Sequence, residues 1–104
     1  MYYTYILRCD DDSLYTGMTD NVENRLEKHI SGKGAKYTKS HRVYRLETYW
    51  SSKTKSLACK LEYQIKKLTK QQKENLIQGE KLSKYLSGKI DCRRYRNCIN
   101  TQKF

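Results

Sequence analysis

The sequence predicts a small α+β domain in which helices pack against a three-stranded antiparallel sheet. Two runs rich in tyrosine, threonine and aliphatic residues flank an acidic turn within residues 2–18, and a third run follows at 43–50. Between and after these runs, apolar residues recur every three or four positions, which is typical of helices that bury one side. Because the chain has 104 residues, we expect a single core that folds without disulfide bonds.

The first two strands are predicted to form a hairpin. Residues 2–9, YYTYILRC, have the aromatic and β-branched composition of a strand, and residues 14–18 return beside them. The acidic turn between the strands is Asp10-Asp11-Asp12-Ser13. Three consecutive aspartates also fit a metal site, but a polar hairpin turn explains them more simply.

The first helix is predicted to begin near residue 21, because Asp20 is followed three positions later by a glutamate, as in a capping box. Its buried stripe is expected to comprise Val22, Leu26 and Ile30. Arg25 and His29 are also four positions apart, so both are expected to point at one place beside the sheet. Gly32 is expected to end the helix.

A loop rich in glycine and lysine follows over 32–39. The order of its glycine, lysine and threonine residues does not match a P-loop, and no strand leads into it. The loop is either a basic linker or a phosphate-binding segment, and the lysines concerned are Lys33, Lys36 and Lys39.

A third strand is predicted over 43–50, followed by the longest helix, which begins near Thr54. The apolar stripe of that helix comprises Leu57, Leu61, Ile65 and Leu68. Glu62 borders the stripe and is the only acidic residue over 48–73, an interval that contains seven lysines. This carboxylate either pairs with Lys66 one turn later or binds a metal ion.

The sequence predicts less regular structure after the longest helix. Thr69 is followed three positions later by a glutamine, a second capping box that opens a short helix to Gly79, with one or two further turns before residue 88. Residues 89–104 are basic and have no apolar period. We therefore expect a domain over residues 1–88 and a basic tail that is disordered or folds on nucleic acid.

The charge of the chain predicts a polyanionic partner. The formal net charge is +11, and ten tyrosines accompany the basic residues. Lysine and arginine neutralise phosphates, and tyrosine either stacks on bases or serves as an ordinary strand residue. A nucleic acid is therefore the expected partner.

The cysteines and the N-terminus predict an intracellular protein. The four cysteines lack the spacing of a zinc site, so we expect them to be reduced and structural. Arg8 and Asp10 interrupt any apolar leader, and no stretch is long enough to span a membrane. The expected location is the cytoplasm for a bacterial protein, or the host nucleus for a protein of a DNA virus.

Taken in order, these residues resemble the GIY-YIG nuclease superfamily, in particular its small single-domain members of the UPF0213 type. The two signature tripeptides fall on Tyr3-Thr4-Tyr5 and Tyr15-Thr16-Gly17. Tyr3 stands in place of a glycine and Thr16 in place of an isoleucine. The arginine of the family falls on Arg25, with His29 four positions later, and the metal-binding glutamate falls on Glu62. The resemblance covers about residues 2–78.

The resemblance implies an endonuclease that uses one Mg²⁺ or Mn²⁺ ion held by Glu62. Arg25 would bind phosphate oxygens, and one of the two motif tyrosines would activate water. We favour Tyr5 as the general base with His29 as its proton relay and Tyr15 as the positioning hydroxyl, although the reverse assignment is nearly as good. Gly17 would let the backbone turn closely into the helix, and Gly17 is counted with the loop lysines among the DNA-binding residues.

Three functions remain open on the sequence. The first is a metal-dependent DNA endonuclease that acts in repair, in recombination or on branched DNA. The second is a non-catalytic nucleic-acid-binding module with the same fold, and the third is an adaptor recruited through the tail. With no second targeting domain, selectivity would come from the core, the tail, a homodimer or a targeting partner.

Overall fold

A four-stranded antiparallel sheet with the strand order β2-β1-β3-β4 forms the middle of the α+β fold. The structure is a computed structural model and describes residues 1–31 and 42–99. The strands are β1 Tyr2–Cys9, β2 Leu14–Thr19, β3 Val43–Ser52 and β4 Arg96–Ile99. The helices are α1 Val22–Ile30, α2 Lys55–Lys66, α3 Lys70–Ile77 and α4 Ser83–Leu86, with a 3₁₀ turn at Cys92–Arg94. Within these ranges, no helix is long and apolar enough to cross a membrane.

The acidic segment between β1 and β2 is a hairpin turn, as its composition favoured. The Cys9 amide donates to the Ser13 carbonyl oxygen at 2.9 Å, and Asp12 adopts a left-handed conformation with φ of 70°. The Asp12 carboxylate pairs with Arg8 at 3.0 Å and with Lys70 at 3.1 Å. Its charge is therefore matched by basic side chains of the protein.

The sheet separates two hydrophobic clusters, because successive side chains of a strand point to opposite faces. Tyr5 and Leu7 pack on the side of α1, whereas Ile6 packs against the helices on the other side. The cluster on the side of α1 also contains Leu26, Val43 and Leu46. The opposite cluster also contains Trp50, Leu61, Ile65, Leu76, Leu82 and Leu86.

Helix α1 differs from its prediction in its N-cap residue and in the last residue of its buried stripe. Its N-cap is Asn21, not Asp20, and the Asn21 side chain accepts a hydrogen bond from the Asn24 amide at 3.0 Å. Ile30 is 49% exposed, whereas His29 is buried, so the predicted stripe is wrong at its last position. A helix has 3.6 residues per turn, and a spacing of four therefore drifts off the buried side. The predicted end at Gly32 and the loop lysines Lys33, Lys36 and Lys39 lie outside the described residues.

The caps of the next two helices are confirmed. The Thr54 side chain accepts a hydrogen bond from the Leu57 amide at 3.1 Å. Thr69 and Gln72 form a reciprocal capping box, with both bonds present. These caps fix where α2 and α3 begin. Helix α2, which carries Glu62, packs against β1 and β2.

The predicted three-stranded sheet is one strand short. Arg96–Ile99, which was expected to belong to the tail, pairs with β3 from Thr48 to Ser51. The Tyr95 hydroxyl donates to the Leu57 carbonyl oxygen at 2.6 Å and joins this segment to α2. An edge strand of four residues is held mainly by backbone hydrogen bonds, which any side chain permits, so its sequence carries no apolar alternation to recognise.

Candidate active site

The hairpin places the two motif tyrosines on one face of the sheet. Tyr5 lies directly opposite Gly17, and Leu7 lies directly opposite Tyr15. Side chains of directly opposite residues project to the same face, and residues two apart on a strand share it as well. Tyr5 and Tyr15 therefore both face α1, the helix that carries Arg25 and His29.

Tyr5 and His29 form a buried hydrogen-bonded pair. The Tyr5 hydroxyl lies 2.9 Å from His29 Nε2, and the two residues are 4% and 2% exposed. The Tyr15 ring lies close to both, with ring centres 5.3 Å from His29 and 6.4 Å from Tyr5. The structure thus brings together three of the residues that the sequence predicted, in one cluster of rings.

Both members of the buried pair are neutral at pH 7. Burial, reinforced by the charge of Arg25, lowers the pKa of His29 to about 4. Burial raises the pKa of Tyr5 well above its usual value, and Arg25 only partly opposes this. Since the phenol keeps its proton and the imidazole lacks its second one, the Tyr5 hydroxyl can donate to Nε2 of His29.

The position of Gly17 has no room for a side chain. A Cβ atom at this position would lie 2.6 Å from Tyr5 Cζ, closer still to the Tyr5 hydroxyl, and 3.1 Å from Tyr15 Cε2. Gly17 lies inside β2 and its φ is not in the left-handed region, so the predicted turn into the helix is not the reason for a glycine here. The residue leaves room for the Tyr5 ring end to reach His29.

The charges of Arg25 and Glu62 both act on the two tyrosines. The positive charge of Arg25 lowers the pKa of both tyrosines, and the negative charge of Glu62 raises it, so both charges are near the phenols. Burial outweighs these opposed effects and raises the pKa of Tyr15. Helices α1 and α2 therefore contribute one cation and one anion to the same place.

The Glu62 carboxylate is 23% exposed and pairs with Lys66 at 3.2 Å. The ion pair that the sequence offered as one explanation is thus present. Within residues 1–31 and 42–99, no three His, Cys, Asp or Glu side chains form a cluster suited to a metal ion. A hard divalent cation that keeps several waters and takes substrate oxygens needs only one carboxylate, so the donor set fits Mg²⁺ or Mn²⁺ when DNA supplies the other oxygens.

One cation near the site was not predicted from the sequence. Lys66, the predicted partner of Glu62, also acts on Tyr15, where its charge opposes the rise in pKa that burial causes. Burial and the charge of Lys66 lower the pKa of Lys73, which therefore lies near Lys66. Lys73 comes from α3, and its approach depends on how α3 packs, which no local pattern encodes.

Comparison with known proteins agrees with this geometry. A family model described as the GIY-YIG catalytic domain matches residues 1–75. A UPF0213 protein of Fusobacterium nucleatum is 51% identical over 76 residues, which cover 73% of this chain and 76% of that protein. A UPF0213 protein of Staphylococcus haemolyticus is 48% identical over 77 residues, with 74% and 94% covered.

A solved structure is also similar in sequence. The solution NMR structure of a UPF0213 protein from Bacillus halodurans is 46% identical to this chain, with a TM-score of 0.49. The match covers 75% of this chain and 84% of that one. The family match over residues 1–75 and the identity to curated relatives confirm the resemblance carried by the two tripeptides. The chain therefore belongs to the GIY-YIG nuclease family.

Proposed function

We propose that this protein is a divalent-metal-dependent endonuclease that hydrolyses phosphodiester bonds in DNA. The observation that carries the proposal is the buried Tyr5–His29 pair beside Tyr15, with the charges of Arg25 and Glu62 acting on both tyrosines. Family membership and a net charge of +11 support the same reading. Action on branched or damaged DNA, or selection of DNA through a partner or a second copy, belongs to the same proposal.

Arg25 and Glu62 would neutralise charge at the reacting phosphate. The Arg25 guanidinium would donate to the phosphoryl oxygens, on which negative charge grows in the transition state. Glu62 would hold the cation, which when bound supplies a Lewis acid at the phosphate. Lys66 would have to release Glu62 when the cation binds, so the ion pair at 3.2 Å belongs to the free protein.

Tyr5 and His29 would move the proton. The Tyr5 hydroxyl would take a proton from the attacking water while passing its own proton to His29 Nε2, 2.9 Å away. This coupling matters because burial keeps the Tyr5 phenol protonated, so Tyr5 has no free phenolate to offer. Tyr15, which is less buried, would position the water or the phosphate. In the reverse assignment Tyr15 accepts the proton, and His29→Gln would then reduce cleavage far less than Tyr15→Phe.

The decisive variant is Glu62→Gln, which keeps the shape of the side chain and removes the charge that binds a hard cation. We expect cleavage of branched, flapped, single-stranded or duplex DNA in Mg²⁺ or Mn²⁺ to fall by orders of magnitude. DNA binding in EDTA should be unchanged or slightly tighter, because one negative charge near phosphate is lost. Glu27→Gln, an exposed acid on α1, is the matched control and should leave cleavage intact.

A second candidate is a non-catalytic DNA-binding module, which the pairing of Glu62 with Lys66 favours because it gives the carboxylate a structural role. In that case Glu62→Gln would lower the free energy of unfolding by only about 0.3–0.5 kcal/mol. No DNA substrate would then be cut with either metal, by the wild type or by the variant. Retained cleavage in Glu62→Gln would falsify the metal assignment and would also exclude the non-catalytic module.

A further inference from the structure

We propose that the exposed side of α2 and the segment after α4 form a track for the phosphate backbone of DNA, outside the bond that is cut. This inference rests on the proposed function and extends it to a second surface. The track runs along the exposed side of α2 and ends in a groove between α2 and residues 88–95. We call this surface the α2 track, and its members are Lys60, Tyr63, Lys67, Lys89 and Arg94.

The groove at the end of the track is open and basic. It has a volume of about 650 Å³, and Lys60, Lys89 and Arg94 are among the residues that line it. Its acidic lining residue, Asp91, is already paired with Arg93 at 3.0 Å. Among the residues that the structure describes, no carboxylate forms an ion pair with the three other cations. Their charge is therefore available to a polyanion.

The exposed side of α2 connects the groove to the candidate active site. Lys60, Tyr63 and Lys67 are spaced by three and four positions, so they share one side of the helix. Tyr63 is 60% exposed, and Lys67 Nζ lies 4.6 Å from the centre of its ring. A rise of 1.5 Å per residue separates Lys60 from Lys67 by about 10 Å, or about three nucleotides at 3.4 Å each.

The tyrosine and the lysine act as one unit. A cation over an aromatic ring is attracted to the face of that ring, which restricts the ammonium group to one place above Tyr63. Lys67 is thereby held beside the helix, on the exposed side that also carries Lys60. Tyr63 is exposed and gains little from burial, but its ring positions the charge of Lys67.

The first test compares two double variants that remove the same charge. Lys60→Gln with Lys89→Gln alters the track, whereas Lys81→Gln with Lys84→Gln alters exposed lysines before and within α4. Binding is measured by fluorescence anisotropy of labelled DNA in EDTA over a series of salt concentrations. We expect the track variant to bind at least about tenfold more weakly at low salt and its log–log salt slope to be lower by about 2. The control should keep nearly the whole slope.

The second test isolates the tyrosine. Tyr63→Phe keeps the ring that holds Lys67 and should bind DNA like the wild type, whereas Tyr63→Leu should bind about two- to fivefold more weakly. Because the side chain is exposed, neither change should alter the thermal midpoint. Equal binding by the phenylalanine and leucine variants would remove Tyr63 from the track.

These measurements separate failure of the track from failure of the proposed function, because binding in EDTA does not require cleavage. Loss of binding in the track variant alone supports the track, whether or not the wild type cuts DNA. Equal loss in the two double variants, or no loss in either, overturns it. If the track variant loses binding to vesicles that contain phosphatidylserine but keeps its binding to DNA, the surface binds a membrane, and the proposed DNA track is overturned.

Discussion

His29 is a neutral imidazole in a place where an imidazolium would be poorly solvated and would face Arg25. The lowered pKa of His29, about 4, has a direct consequence for stability. In the unfolded chain the same group titrates near its ordinary pKa of about 6.5. Protons therefore bind the unfolded chain more tightly, and acid favours unfolding over that interval.

We expect the contribution of His29 to stability to be complete above pH 6.5 and to be lost as the pH falls toward about 4. The full effect is on the order of 3 kcal/mol. Urea unfolding at several pH values checks this, with His29→Gln as the control, because glutamine does not titrate. The difference in free energy between the two proteins should shrink as the pH falls. A constant difference would show that His29 has an ordinary pKa.

Gly17→Ala should destabilise the protein by about 1–3 kcal/mol, because the new methyl group would overlap the ring end of Tyr5. The same substitution in a Tyr5→Leu background should cost less, since the overlapping atoms are gone. A double-mutant cycle from urea unfolding measures that coupling. Equal costs in the two backgrounds would mean that the backbone of β2 relieves the overlap by itself.

At the residue scale, the sequence predicted which residues meet and not how they meet. Spacing alone placed Arg25 with His29 on one side of α1. The burial of His29 depends on the angle at which α1 crosses the sheet, which is a tertiary property. The reason for Gly17 was also inaccessible, because it follows from the Tyr5 ring across the hairpin.

At the element scale, local signals succeeded and non-local ones failed. The caps at Thr54 and Thr69 were recognisable because each cap bonds to a backbone amide three residues away. Strand β4 was missed because its four residues, which pair with β3 at the edge of the sheet, have no apolar alternation. A short edge strand has few side-chain requirements, so composition described it only as basic.

Strand β4 leads to a prediction about the C-terminal segment. Deletion of residues 89–104 should lower the midpoint of urea unfolding, because it removes β4 and the Tyr95 contact with α2. Tyr95→Phe, which deletes only the hydroxyl that donates to Leu57, should cost about 0.5–1.5 kcal/mol. A truncated protein as stable as the full chain would restore the division at residue 88 that composition suggested.

At the scale of the whole molecule, charge is the dominant property. The net charge of +11 on 104 residues favours binding to a polyanion over binding to a neutral partner. It also raises the association rate with a polyanion. The lysines of the candidate site and of the α2 track account for part of this excess.

We expect DNA affinity to fall steeply between low and physiological salt, because bound lysines and arginines release condensed counterions from DNA. The plot of log affinity against log salt should be linear, with a slope of about −0.9 for each phosphate neutralised on a duplex. A flat plot would mean that charge contributes little. In that case, shape and hydrogen bonding would have to account for the affinity.

Because Tyr5 pairs with Gly17, Tyr15 shares a sheet face with Tyr5 only while an even number of positions separates Tyr15 from Gly17. Side chains alternate along a strand, so one residue inserted between Tyr15 and Gly17, with Gly17 still opposite Tyr5, would turn the Tyr15 ring away from His29 and toward the opposite cluster. An insertion confined to residues 10–13 would lengthen the turn and leave the facing residues unchanged. Within this hairpin, the turn should therefore tolerate insertions that the paired strands do not. Inserted tags, or new termini made by circular permutation, should leave the site intact only when they are placed in the turn.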